Sequence, residues 1–315
     1  MRGDVQIKIL VTGGAGFIGS HVVDAYLAQG HEVIVVDDLS TGKEENLNPS
    51  AKFYRMDIQD ENLIDVFEKE QPEVVNHHAA QIDVRKSVTY PKFDARANIL
   101  GTINILEACV ECKVKKIIFA SSGGAIYGEP QYLPVDEVHP QKPISPYGVS
   151  KLSGEFYIQA YRDVHGLKFT ILRYGNVYGP RQDPLGEAGV IAIFCSQMLE
   201  GTPPKIFGTG DQLRDYVYVE DVVEANIIAL LGGDNVAVNI GTGIGTSVNE
   251  LFKNLSSIIG FAQDPIYCPP RPGELDKIFL APDLARKELG WEATTDLMKG
   301  LRLTADYFRN RIKTK

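Results

Sequence analysis

The chain has 315 residues, 44% of them apolar and 23% charged, with 41 acidic against 32 basic side chains and a net charge of −9. That balance argues against nucleic acid or an anionic membrane as a partner, so a phosphate-bearing ligand must be held by local features and not by a global field. No apolar run approaches the ~20 residues of a membrane span and no signal-peptide core follows MRGDVQIK, so the expectation is a cytoplasmic protein without a membrane segment.

The first 180 residues alternate β-branched runs with helical stretches. Strands are expected at Ile7–Val11, Glu32–Asp37, Lys52–Arg55, Glu73–Asn76, Lys116–Ser121 and Lys168–Tyr174. Helices are expected at Gly16–Gln29, Asn62–Glu70, Lys92–Cys112 and Ser145–Val164. Nearly continuous apolar strands interleaved with helices imply a parallel sheet covered on both faces. Beyond Tyr174 the chain is rich in Gly and Pro, with a short helix near Val190–Glu200 and a last strand at Ala237–Ile240. A helix runs from the N-cap Ser247, with Glu250 at its third position, through Ile259, and two terminal helices follow. The fold class is therefore α/β: a Rossmann-type doubly wound parallel sheet with a smaller C-terminal substrate-binding lobe. Residues 1–180, with a returning segment near 216–245, would form the first part and 181–315 mainly the second.

The first strand, turn and helix read ILVTGGAGFIGSHVV. Gly13 permits a tight turn off the strand, Gly16 lets a pyrophosphate approach the backbone, and Gly19 lets the helix pack closely on the sheet. The second strand ends in VIVVDD, with Asp37 18 residues after Gly19. A carboxylate there accepts hydrogen bonds from an adenosine ribose and repels a 2′-phosphate, which favours NAD over NADP. Asp57 and Ile58 fit an adenine contact or an ordinary strand end equally well. Tyr147 and Lys151 in SPYGVSK share one helix face, and a nearby ammonium makes a tyrosine a usable base. Cys109-x-x-Cys112 lies in a helical pattern with no second pair and is read as buried thiols. His77 and His78 point to opposite sides of a strand end and cannot chelate one metal, so no metal site is expected.

These stretches, with HHAAQ, ASSGGAIYG, RYGNVYGPRQ, FGTGDQLRDYVYVEDV and RPGELD, make the chain resemble the extended short-chain dehydrogenase/reductases from about Ile7 to Phe308. Within that family it is similar to the epimerases that invert C4 of UDP-glucose. The resemblance implies NAD contacts at Gly13, Gly16, Phe17, Ile18, Asp37, Asp38, Asp57, Ile58, Ala79, Asn98, Tyr147, Lys151 and Tyr174. It implies a nucleoside-diphosphate site at Asn176, Phe207, Arg214 and Arg271, and a homodimer joined through helices. Guanidinium groups suit a diphosphate in an acidic protein, while Arg181 fits either that role or a surface ion pair.

Relatives that eliminate water carry an acid just after the strand-end hydroxyl, where this chain has Ser122-Gly123-Gly124-Ala125. Without a general acid the expected chemistry is reversible hydride transfer at C4 of a UDP-sugar, through a transient 4-keto sugar. Tyr147, Lys151 and Ser122 would carry it, with Ser121 the alternative relay. Other expectations in descending order are a different NAD-dependent sugar-nucleotide oxidoreductase or a UDP-uronate 4-epimerase, and a non-catalytic NAD-binding sensor. Ile278, with Phe279 beside it, is expected to border the sugar and to set tolerance for an N-acetyl group.

Overall fold

Seven strands run parallel in the order β10–β6–β5–β4–β1–β2–β3 in the computed structural model, which describes residues 6–185, 189–270 and 275–313. They are β1 (Lys8–Thr12), β2 (Glu32–Asp37), β3 (Lys52–Arg55), β4 (Val74–His77), β5 (Lys116–Ser122), β6 (Lys168–Tyr174) and β10 (Val236–Ile240). Between them lie helices α1 (Phe17–Ala28), α2 (Leu63–Glu70), α3 (Val84–Thr89), α4 (Pro91–Ala95), α5 (Gly101–Glu111), α6 (Gly123–Ile126) and α7 (Pro146–His165). Crossovers of this kind suit parallel pairing, because a hairpin cannot join parallel neighbours.

Both faces of the sheet are buried, which is why its strands are apolar at successive positions. Ile9 and Val11 pack with Val22 and Tyr26 of α1, while Leu10 between them packs on the other face with Phe67 and Ile105. Sheet residues Ile118 and Leu172 join the first face, and Phe119 and Ile171 the second.

The single helix expected over Lys92–Cys112 is three segments. A π-helical turn at Arg96–Leu100 separates α4 from α5. Such wide turns leave the α-helical hydrogen-bond ladder and occur frequently at functional sites. The segment Val84–Thr89 is a helix that the β-branched composition conceals.

The rest of the chain supplies β7 (Asn176–Tyr178), α8 (Val190–Leu199), β8 (Lys205–Phe207), β9 (Leu213–Tyr218), α9 (Val219–Leu231), β11 (Gly245–Ser247), α10 (Val248–Ile259), β12 (Ile266–Cys268), β13 (Lys277–Ile278), α11 (Asp283–Leu289) and α12 (Leu297–Lys313). Strand β9 is the hub of a small sheet, pairing with β7, β11 and β13, and β8 pairs with β12. Ser247 caps α10 by accepting from Glu250 N at 3.1 Å. Phe194, Leu251, Leu255, Leu301 and Phe308 of α8, α10 and α12 form a separate apolar cluster beside the small sheet. No helix among the described residues is long and apolar enough to cross a membrane.

Candidate active site

The turn from β1 into α1 is built by glycines with little room to spare. Gly13 has φ +70, and a Cβ there would stand 2.7 Å from Ala79 N. A Cβ at Gly19 would meet Gly13 O at 2.2 Å, so the helix can approach the turn only without one. Gly16 differs: its one close neighbour would be Gly13 O at 3.1 Å, and no side chain caps the helix start there. The first-turn amides beside Phe17 and Ile18 thus carry no side-chain cap of their own.

Asp37 closes this turn from β2. Its Oδ2 accepts from Ala15 N and its Oδ1 from Leu39 N, each at 2.9 Å. Burial raises the pKa of its carboxyl, opposed by those two amides. Each oxygen retains a second lone pair, so a ribose hydroxyl can still be accepted. Asp38 and Asp57 accept from Ser40 N and Gln59 N at 2.9 Å in local turns. Ile58 is buried, its carbonyl accepting from Asn104 at 2.7 Å. Ala79 N donates to Thr12 Oγ1 at 3.2 Å. Asn98 accepts from Gln81 N and donates to Gln81 O, both at 2.8 Å, which pins the stretch after β4. Tyr174 at the end of β6 is buried, and its hydroxyl accepts from Asn226 at 2.9 Å. His78 stacks over Tyr174 with ring centres 6.4 Å apart. A glycine turn, an uncapped helix start and a carboxylate at the end of β2 fit a dinucleotide.

His77 is engaged at both ring nitrogens, Nδ1 with Thr12 Oγ1 at 2.7 Å and Nε2 with Thr102 Oγ1 at 3.1 Å. Its buried imidazole is held neutral, well below the usual histidine pKa. No group of three His, Cys, Asp or Glu side chains among the described residues could hold a metal ion.

Helix α7 starts at Ser145, whose Oγ accepts from Gly148 N at 3.1 Å, with Pro146 in the first turn. Tyr147 follows, its backbone N donating to Ser87 Oγ of α3 at 3.1 Å. Burial pushes the Tyr147 hydroxyl up to about 12, and a hydrogen bond from Ser122 works in the opposite direction. One turn later, Lys151 is buried, donating to Ala120 O at 2.8 Å and lying 4.9 Å over the Phe119 ring. Burial pulls its pKa down to about 8 against the pull of Asp94 and Glu155.

The two serines at the end of β5 separate clearly. Ser122 lies by the Tyr147 hydroxyl, whose pKa it lowers, whereas Ser121 is buried and donates to Glu155 Oε1 at 2.5 Å. Arg173 of β6 grips the same Glu155 through Nη2 at 2.7 Å and donates to the Tyr127 hydroxyl at 3.0 Å. Neither Glu155, Arg173, Tyr127 nor Asp94 was expected at the site. Lys151–Glu155 and Asp94–Asn98, four residues apart on helical turns, were the only local signals of them.

After Ser122 the glycines play different parts. A Cβ on Gly123 would stand 2.4 Å from Leu280 Cδ1, so this glycine is needed for packing. A Cβ on Gly124 would fit without a clash, in ordinary contact at 3.8 Å from Asn176 Oδ1 and 4.0 Å from Ser122 Oγ. Ser122, Gly124 and Asn176 are therefore neighbours. Arg214 sits on β9 and donates to the carbonyls of Leu213 at 2.9 Å and Leu275 at 2.7 Å, and Phe207 ends β8. Arg271 lies outside the described residues. Arg181 forms an ion pair with Asp24 at 2.7 Å.

One expectation is corrected. Ile278 is not a wall of an open pocket but lies 2% exposed in a cluster with Ile126, Tyr127, Val135, Leu275 and Leu280. The pairing of β13 with β9 turns it into the core opposite Arg214, and Phe279 covers Gly245 instead.

Comparison with known proteins agrees with this geometry. The sequence profile of the NAD dependent epimerase/dehydratase family matches residues 9–241. The UDP-glucose 4-epimerase of Mycolicibacterium smegmatis is 43% identical over 311 residues, 97% of this chain and 99% of that one. The crystal structure of the UDP-glucose 4-epimerase of Thermotoga maritima with UDP-glucose superposes with a TM-score of 0.96 at 53% identity, covering 96% of this chain and 99% of that one. The UDP-glucose 4-epimerase of Thermus thermophilus in complex with NAD gives 0.90 at 45% identity, with 96% and 98% covered. With three quarters of its length under the family profile and relatives aligned nearly end to end, the chain belongs to the NAD-dependent epimerase/dehydratase family.

Proposed function

We propose that this protein is an enzyme that inverts C4 of a UDP-hexose, interconverting the gluco and galacto forms by way of a transient 4-keto sugar. The observation that carries the reading is the strand end itself: the Ser122 hydroxyl lies close enough to that of Tyr147 to lower its pKa, and the floor beside them is Gly124 where an eliminating enzyme needs an acid. Tyr147 takes the proton of the C4 hydroxyl and later returns it, with Ser122 as the relay between sugar and phenol. The Lys151 ammonium favours the phenolate form of Tyr147 and so makes that transfer accessible near neutral pH. The absence of a side chain on Gly124 leaves the keto sugar space to present its other face.

Gly13, Gly16, Phe17, Ile18, Asp37, Asp38, Asp57, Ile58, Ala79, Asn98 and Tyr174, with Tyr147 and Lys151, are the residues that would hold NAD. Bound there, NAD supplies the acceptor for the C4 hydride and gives it back. Asn176, Phe207, Arg214 and Arg271 would hold the nucleoside diphosphate, the arginines through paired N–H donors. The main sheet with the stretch near 216–245 would serve the cofactor, and 181–315 mainly the UDP-sugar. We further place the protein in the cytoplasm as a homodimer. The exposed apolar side chains Phe93 of α4, Leu100 of the π-helical turn, and Val149 and Phe156 of α7 support a helical contact between copies. The four free cysteines suit a reducing compartment.

The test is to give purified protein UDP-glucose and then UDP-N-acetylglucosamine, without added cofactor, and to follow the anomeric protons by NMR. Galacto signals are expected. Net NADH release without epimerisation would make it a sugar-nucleotide dehydrogenase instead.

A further inference from the structure

Two buried carboxylates lie near Tyr147 and Lys151, Glu155 on their own helix α7 and Asp94 on α4. One is neutralised: Arg173 holds Glu155 through Nη2 at 2.7 Å and Nε at 3.0 and 3.2 Å. The other, Asp94 on α4, is 0% exposed and has only neutral donors. Ser150 Oγ reaches it at 2.5 Å, and Asn98 Nδ2 and Gln81 Nε2 each at 3.0 Å. Among the described residues no ion pair includes it.

A buried carboxylate without a paired cation is costly, so its presence calls for a compensating charge within reach of its field. Lys151 matches that need. It is itself buried, donates to a backbone carbonyl and not to a carboxylate, and follows Ser150 directly in the chain. We propose that Asp94 is a positioning residue for the reaction: the buried counter-charge of Lys151 and, through Ser150, Asn98 and Gln81, the clamp that fixes α7 to the cofactor side of the site. This rests on the function proposed above.

The other charged or titratable groups facing Lys151 do not replace it. His77 and His78 approach from the end of β4, and burial holds both imidazoles neutral, His78 down to about 3. Tyr147 and Glu155 lie on its own helix, and Glu155 is matched by Arg173 of β6. Asp94 leads the influences that raise the Lys151 pKa against burial, and it also raises that of Tyr147. The π-helical turn at Arg96–Leu100 follows Asp94 directly and carries Asn98, so clamp and counter-charge share one irregular segment.

The test is the pH profile of kcat on UDP-glucose for wild type, Asp94→Asn, Asp94→Glu and Ser150→Ala. Deprotonation of Lys151 sets the alkaline limb. Asp94→Asn should move that limb down by about one pH unit, a loss of about tenfold relative to its own plateau at alkaline pH. Asp94→Glu keeps the charge and should leave the limb in place, and Ser150→Ala should lower the rate without moving it. Equal losses at every pH in Asp94→Asn and Ser150→Ala, with the limb unmoved, would overturn the proposal. Asp94→Ser, smaller and with space for water among the same donors, replaces Asp94→Asn if the amide variant does not fold. If the wild type does not turn over UDP-glucose, the proposed function fails separately. The counter-charge is then read from urea unfolding against pH, where the rise of stability due to Lys151 should begin about one unit lower in Asp94→Asn, and an unshifted onset would refute it.

Discussion

Replacing Lys151 by Met should destroy activity and stabilise the fold. Burial lowers the Lys151 pKa from 10.5 to about 8, and at about 1.4 kcal/mol per unit the buried charge costs roughly 3 kcal/mol at neutral pH. Met has similar length and no charge. Its own cost is the carbonyl of Ala120, which loses the 2.8 Å hydrogen bond from Nζ and forfeits about 1–2 kcal/mol. The net expectation is a gain of about 1–2 kcal/mol in unfolding free energy at neutral pH. The sign with pH follows from proton binding. Between pH 8 and 10.5 the unfolded chain binds more protons at this lysine than the native one, so wild-type stability rises across that window. The advantage of Lys151→Met should therefore be full below the native pKa, shrink through the window and reverse above it, where only the cost of about 1–2 kcal/mol for the lost Ala120 hydrogen bond is left. Urea denaturation of both proteins at neutral and at alkaline pH measures this, beside a fall in kcat of about 10²–10⁴-fold. A variant less stable than wild type at neutral pH, or a difference independent of pH, would refute the reasoning.

Three substitutions probe the same region. Ser122→Ala should lower kcat by about 100-fold and leave the denaturation midpoint nearly unchanged, since it removes the hydroxyl bonded to Tyr147. Ser121→Ala should do the reverse: loss of its 2.5 Å hydrogen bond to buried Glu155 should cost about 2 kcal/mol in urea unfolding while kcat falls less than tenfold. Gly13→Ala forces a Cβ to within 2.7 Å of Ala79 N at φ +70, so it should cost about 1–3 kcal/mol and yield protein with little bound dinucleotide, measured by absorbance of a perchloric acid extract. Retention of a full complement of dinucleotide in that variant would count against the cradle.

The large sheet was legible because its signals are local. Strands buried on both faces carry apolar residues at successive positions, as in the Val33–Val36 run of β2, and β2, β3 and β6 match the expected bounds residue for residue. The small sheet was not, since β7, β11 and β13 have three, three and two residues and owe their existence to pairing with β9. The misreading of Ile278 has the same origin: a two-residue strand turns it inward, and nothing in its neighbours along the chain announces that. Asp94 escaped notice because it lies in what looks like the outer turn of one long helix. Only the contact between α4 and α7, and the irregular turn after it, bring its carboxyl to Ser150. The different surroundings of Ser121 and Ser122 depend on which face of β5 meets Glu155, which spacing along the strand leaves open.

The claim at the centre of this account is that the hydrogen on C4 leaves and returns without elimination or exchange with solvent. Epimerisation of UDP-glucose in D2O, with the product sugar nucleotide analysed by mass spectrometry and proton NMR, addresses it directly. The account predicts UDP-galactose of unchanged mass with its C4 proton fully retained. Deuterium at C4, or a product lighter by one water, would contradict it.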